Sequence, residues 1–177
     1  MKVSSIHLER PQMIYVIEGP DGTGKSTLAK ALSDKIKAIT IHSSYDPAWK
    51  IWMCHNKIMS SAVSLSRLGV PVILDRWAVS EEVYGTIFRN GPGYDTQELI
   101  EQYEEHIVWI YCRNDNAVEN HRTNSQERVE MFDDMERVVE MFDEYVAKSS
   151  LNWHVFDFDK VTTEDFLEEI INTAGGD

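Results

Sequence analysis

The residues best suited to chemistry form one run, Gly19-Pro20-Asp21-Gly22-Thr23-Gly24-Lys25-Ser26-Thr27. The run fits G-x-x-x-x-G-K-[ST], the pattern of a phosphate-binding loop. Glycines let successive backbone N–H groups converge on phosphate oxygens without side-chain clash. A helix that starts there aims its positive end at the same point. Lys25 supplies a charge for the β- and γ-phosphates, and Ser26 offers a hydroxyl to Mg²⁺. The expected donor is a nucleoside triphosphate, ATP, held by residues 19–27.

A second pair stands at the end of another apolar run, Val72-Ile73-Leu74-Asp75-Arg76. Asp75 is a second candidate metal ligand. A GTPase needs an N-K-x-D base reader, but the only Asn-Lys pair, Asn56-Lys57, is followed by Ile58-Met59. Motor ATPases commonly follow the strand-end Asp with a Glu that activates water, and Arg76 stands in that place. The pattern disfavours hydrolysis and favours transfer of a phosphoryl group to an anionic acceptor.

Such groups need a scaffold that brings loop ends together. Met13–Glu18, Ala38–His42, Val70–Leu74, His106–Cys112 and Trp153–Phe158 read as short, mostly apolar strands. Helices are expected over Thr23–Lys37, Ala48–Leu68 (stopped by Gly69), Val79–Phe88, from Asp95 or Thr96 through Glu105, Asn114–Arg122, Gln126–Lys148 and Thr163–Thr173. On the sixth of these helices Val129, Phe132, Met135, Val139, Phe142 and Val146 make one stripe. It carries a local echo, ERVEMFDD and ERVVEMFDE, too short in period for a solenoid. Strands alternating with helices, apolar on both faces, imply an α/β fold with a five-stranded parallel sheet covered on two sides. Ligands in such sheets bind at the carboxyl ends of the strands, where both motifs fall.

Composition agrees. A chain of 177 residues with 42% hydrophobic and 27% charged residues suits one globular domain over 1–177. Its 17 basic and 30 acidic residues give a net charge of −13, which argues against general binding to nucleic acid or to an anionic membrane. The deficit is lopsided: residues 1–94 hold 11 basic and 8 acidic residues, residues 95–177 hold 6 and 22. An anionic ligand is expected against the first half, and the acidic second half reads mainly as solvated helix faces. Cys54 and Cys112 are too few for a disulfide framework or zinc site and suit a reducing cytoplasm. The first residues, MKVSSIHLERPQ, lack the apolar segment of a signal peptide.

In order and spacing these motifs resemble the thymidylate kinase family of nucleoside monophosphate kinases. Glu18 to Thr27 is similar to that family's loop, with its Asp two places after the first Gly. Asp75-Arg76-Trp77 with Ser80 and Tyr84 resembles its D-R-[YF]-x-x-S-x-x-x-[YF] stretch. Arg122 and Glu127-Arg128-Val129-Glu130 resemble its arginine-bearing lid and the helix that follows. The match runs over about residues 13–145. It implies a P-loop kinase domain with a short lid at about 120–128, closing for in-line transfer from ATP·Mg²⁺ to a deoxynucleoside monophosphate, with dTMP as first candidate. By this resemblance Asp75 holds metal-bound phosphates or orients the acceptor. Arg76 neutralises the acceptor phosphate, Asp21 lies near the sugar 3′-hydroxyl, and Tyr84 closes the 2′ side. Arg122 and Arg128 then spread over the transferring group. Gly22 stands where one branch of the family has a loop Arg, which implies the lid-arginine layout. The family commonly dimerises, and a homodimer is compatible with the Met- and Phe-bearing helices.

Plainer roles compete. Asp75 and Arg76 could form a strand-end ion pair, Ser80 cap a helix, Tyr84 pack in the core, and Arg128 pair along a helix face. The acceptor side also departs from the family. Between His42 and Lys50 there is no Arg, so Lys50 or Lys57 would have to serve as point charges, and Trp49 or Trp52 could stack on a base. Asp46-Pro47 opens a second resemblance, to deoxynucleoside kinases, in which Asp46 would be the base for a 5′-hydroxyl. A non-catalytic nucleotide-binding regulator would be expected to lack Lys25, Ser26 or Asp75, and all three are present.

Overall fold

The computed structural model describes residues 14–43, 50–124 and 134–175, the side chains of residues 122, 124, 174 and 175 excepted. Five strands form one sheet: β1 (Ile14–Glu18), β2 (Ile39–His42), β3 (Val72–Asp75), β4 (Ile107–Arg113) and β5 (Trp153–Asp157). Their order is β2-β3-β1-β4-β5 and every pairing is parallel, as expected. The connecting helices are α1 (Lys25–Ile36), α2 (Ile51–Arg67), α3 (Ala78–Arg89), α4 (Thr96–Glu101), α5 (Ala117–Asn124), α6 (Met135–Lys148) and α7 (Thr163–Gly175). Among the described residues no helix is long and apolar enough to cross a membrane.

The central strand shows why the chain folds this way. All five residues of β1 are buried, because alternate side chains enter two separate cores. Ile14 and Val16 pack with Met59 of α2, Val79 and Val83 of α3 and Phe142 of α6. Tyr15 and Ile17 pack on the other face with Leu28 and Leu32 of α1 and Phe166 and Ile170 of α7. Coverage is incomplete at the margins. The edge strand β2 leaves Ile39 44% exposed, and Val155 of β5 is 47% exposed. The expectation that every strand is covered on both faces therefore holds only for the middle of the sheet.

Element ends differ from the sequence reading for local reasons. Helix α1 starts at Lys25 rather than Thr23, because Gly24 at its N-cap is left-handed, at φ 82°. Helix α4 stops at Glu101, and a separate 3₁₀ turn, Glu104–His106, leads into β4. The cap of α4 is Asp95, whose carboxylate accepts from the Glu98 N–H at 3.0 Å. Along α6 the fully buried residues are Met135, Val138 and Phe142, so the stripe passes through Val138 and leaves Val139 half-buried. The first half of the expected long helix, with Val129 and Phe132, lies outside the described residues. Gly69 follows α2 at φ 81° and its N–H reaches the Ser66 carbonyl at 2.9 Å, the expected stop.

Candidate active site

The loop between β1 and α1 lies at the carboxyl edge of the sheet, between the ends of β3 and β4. Its glycines are required by their neighbours. A Cβ on Gly19 would overlap the Cys112 carbonyl oxygen of β4. A Cβ on Gly22 would overlap the Ala117 carbonyl oxygen of α5. Both residues also have positive φ, 140° and 81°. The Thr23 hydroxyl donates to the Pro20 carbonyl at 2.8 Å and tightens the loop. Helix α5 docks onto it, since the Asn120 amide donates to the Gly22 carbonyl at 3.2 Å. Residues 120–124, where the lid was expected to begin, are thus a helix seated on the phosphate loop.

Lys25 is buried, and its ammonium donates to the Pro20 carbonyl. Burial, reinforced by the Arg76 charge, lowers its pKa to about 8, against the pull of Asp21, Cys112 and Asp75. Ser26 and Thr27 stand exposed on the first turn of α1. The Ser26 hydroxyl donates to Asp75 Oδ2 at 2.9 Å, and His42 Nδ1 lies 3.2 Å from the same oxygen. The other oxygen, Asp75 Oδ1, is buried without a partner. A hydroxyl beside a carboxylate with one uncommitted oxygen is a fitting donor set for a hard cation such as Mg²⁺. His42 was not singled out from the sequence.

Arg76 follows β3 in a left-handed backbone, φ 74°, while its N–H still reaches the Ile17 carbonyl at 3.0 Å. A non-glycine residue held there costs about 1–3 kcal/mol and persists only where its surroundings dictate it. Those surroundings are explicit. Nη1 donates to Ser80 Oγ at 3.1 Å and the Gly19 carbonyl at 3.3 Å. Nη2 donates to Asp21 Oδ1 and to the Tyr84 hydroxyl, the latter at 3.3 Å. The guanidinium carbon also lies 4.9 Å from the centre of the Tyr84 ring. Tyr84 OH donates to Asp21 Oδ2 at 3.0 Å and accepts from the Asp21 N–H at 3.2 Å. Burial favours a neutral Asp21. The Arg76 and Lys25 charges and the Tyr84 hydrogen bond outweigh it and hold the carboxyl below its usual range.

The sequence therefore located Lys25, Ser26, Asp75, Arg76, Asp21, Ser80 and Tyr84, and the fold brings all seven to one end of the sheet. Trp77, read as part of the Asp-Arg-Trp motif, is a fully buried core residue whose indole N–H donates to the His55 carbonyl at 3.1 Å. Lys50 is exposed at the N-cap of α2. Asp46, Trp49 and Arg128 lie outside the described residues, and so does the side chain of Arg122, whose backbone belongs to α5. Glu18 entered the sequence reading only as the start of the loop motif and, like His42, was given no role. It is fully buried, and Oε1 accepts the N–H groups of Trp77 at 2.9 Å and Val79 at 3.2 Å. Its other oxygen accepts the Ser80 hydroxyl. A carboxylate ending the otherwise apolar run Ile14-Tyr15-Val16-Ile17 was the available signal.

The five-stranded parallel sheet of order β2-β3-β1-β4-β5, with a glycine-rich loop after its first strand, is an α/β fold shared with solved structures that include a deoxynucleoside kinase. One similar structure is the YorR protein of Bacillus subtilis in complex with phosphorylated GDP. Its TM-score is 0.74 at 21% identity, covering 92% of this chain and 96% of that one. Another is deoxyadenosine kinase of M. mycoides with dCMP and dCDP, with a TM-score of 0.61 at 17% identity, covering 92% and 99%. The same enzyme with dATP gives 0.58 at 16% identity, covering 93% and 100%. At these identities the likeness establishes the shared fold. No protein-family model matches the sequence, and no curated protein matches it either.

Proposed function

We propose that this chain is an ATP-dependent nucleotide kinase that phosphorylates a deoxynucleoside monophosphate, dTMP being the first candidate. The observation that carries the reading is the placement of Arg76. Its largely buried guanidinium is held over the phosphate loop by Asp21, Ser80, Tyr84 and the Gly19 carbonyl. A cation so placed can receive a second polyanion brought against the first.

Phosphoryl transfer asks the protein for alignment and charge compensation more than for covalent chemistry. The loop amides and Lys25 hold the donor phosphates. Lys25 exchanges the Pro20 carbonyl for phosphate oxygens and regains its full charge as it does so. Asp75 and Ser26 would hold Mg²⁺, which neutralises β- and γ-phosphate charge when bound. Arg76 turns toward the acceptor phosphate by releasing Asp21, the more exposed of its partners. Asp21 is then free for a sugar hydroxyl, and Tyr84 stands beside it. Arg122 and Arg128 complete the charge compensation from the lid.

A second reading, a deoxynucleoside kinase, is favoured by the likeness to deoxyadenosine kinase. It is also favoured by the engagement of both terminal nitrogens of Arg76, with two partners each, within the protein. A neutral acceptor needs fewer arginines and one general base, for which Asp46 is the candidate. The deciding experiment is a coupled ADP-release assay with ATP·Mg²⁺ against every deoxynucleoside monophosphate and every deoxynucleoside. Turnover of dTMP or another monophosphate supports the first reading. Turnover of nucleosides alone transfers the assignment to the second, and ADP release independent of any acceptor refutes both.

A further inference from the structure

Glu18 is fully buried, yet no step of the proposed reaction touches it. Its contacts all converge on one neighbour of the acceptor site. Oε1 takes the N–H groups of Trp77 and Val79, which lie at the start of α3 and lack partners within that helix. Oε2 takes the hydroxyl proton of Ser80, and the Ser80 oxygen in turn accepts from Arg76 Nη1 at 3.1 Å.

The donor and acceptor count makes this chain directional. A guanidinium only donates, so the Ser80 oxygen accepts from Nη1 and its single proton goes to Glu18 Oε2. The Ser80 lone pairs are thereby turned toward Arg76. The two ends of the guanidinium are held differently. Nη1 rests on Ser80 and the Gly19 carbonyl, both set in the buried frame. Nη2 rests on Asp21 and Tyr84, and Asp21 is 41% exposed. One end is a pivot and the other can exchange partners.

We propose that Glu18 is a positioning residue for the acceptor site: through Ser80 it fixes the Nη1 end of Arg76 as a pivot and ties the first turn of α3 to the strand that launches the phosphate loop. The proposal rests on the kinase reading for its kinetic consequence but not for its geometry. Replacement by glutamine tests it closely. The glutamine oxygen can still accept from Trp77 and Val79, but its –NH₂ now faces the Ser80 hydroxyl as a donor. Ser80 then receives two donors, and its own proton has no acceptor.

The experiment compares wild type, Glu18→Gln, Ser80→Ala and the double variant. Loss of a charge-assisted hydrogen bond predicts an acceptor KM raised about tenfold in each single variant. The KM for ATP should stay within about twofold. The double variant should be no worse than Ser80→Ala alone. Equal changes in both KM values, or additive losses in the double variant, would overturn the proposal, since a purely structural role moves both substrates together. A second readout is independent of turnover. With ¹⁵N-arginine-labelled protein, the Arg76 Nη signals, assigned by Arg76→Lys, should be resolved in wild type and averaged in Glu18→Gln and Ser80→Ala. Unchanged signals in Ser80→Ala overturn the proposal even if Glu18→Gln does not fold. If wild type phosphorylates no acceptor, the kinase reading fails by itself, and the Nη signals still decide the role of Glu18.

Discussion

Replacing the loop lysine, Lys25→Met, should abolish turnover and at the same time make the protein more stable. The reason is that the loop buries the ammonium and lowers its pKa from 10.5 to about 8. A tenfold change in an ionisation constant is worth about 1.4 kcal/mol, so a charged Lys25 costs the fold about 3 kcal/mol at pH 7. Methionine removes that cost, and losing the lysine's hydrogen bond to the Pro20 carbonyl, which keeps the Thr23 hydroxyl as a donor, returns about 1 kcal/mol. The net gain is about 2 kcal/mol, or about 4–8 °C in Tm for a chain of this length. The sign with pH follows from proton linkage. Below pH 8 the lysine is charged in both states, and the whole cost is present. From pH 8 toward 10.5 the folded protein has released a proton that the unfolded chain keeps, so wild type gains stability as pH rises. The advantage of the variant should therefore shrink to about 1 kcal/mol by pH 9, its lost hydrogen bond included. Thermal melts at pH 7 and 9, without nucleotide, measure both numbers. With ATP·Mg²⁺ at about a hundred times its Kd, wild type should recover about 2.7 kcal/mol and the variant nothing. A Lys25→Met protein that melts below wild type at pH 7, or whose advantage is the same at pH 9, would refute the reasoning.

Three further predictions test the rest of the site. Arg76→Ala should raise the KM of the acceptor at least about tenfold more than that of ATP, by initial-rate kinetics with each substrate varied in turn; equal effects would remove Arg76 from the acceptor role. Gly22→Ala should cost about 1–3 kcal/mol in a denaturant melt, because the left-handed backbone and the Ala117 carbonyl in the path of the new Cβ both oppose it; a melt like that of wild type would mean that α5 is not seated on the loop. Tyr84→Ala should raise kcat/KM for ribonucleoside monophosphates relative to the deoxy series, and an unchanged ratio would confine Tyr84 to holding Asp21 and Arg76 in place.

Much of this arrangement was legible in the linear chain, and the reason is locality. Short apolar runs ending in glycine or charge located β1 and β3. The spacing of Leu28 and Leu32 located α1, and the glycines of the run from Gly19 to Thr27 located the turn before it. Asp75 and Arg76 were legible because strand ends in a parallel sheet are where ligands bind. Burial along α6 differs by one residue, Val138 for Val139, since both spacings fit a helix and only the packing of its own Phe142 on Tyr111 of β4 distinguishes them.

What the sequence by itself determined is the class of fold and which of its side chains are candidates for a site: residue types at fixed spacings, read through the periods of helix and strand. What only the tertiary structure decided is who holds whom. Trp77 turned out to belong to the core, Gly22 to be dictated by α5, and Glu18 to brace Ser80 from 62 positions away. Hydrogen bonds and burial depend on distance in space. No local pattern encodes a contact between residues that the chain brings together only after the sheet has formed.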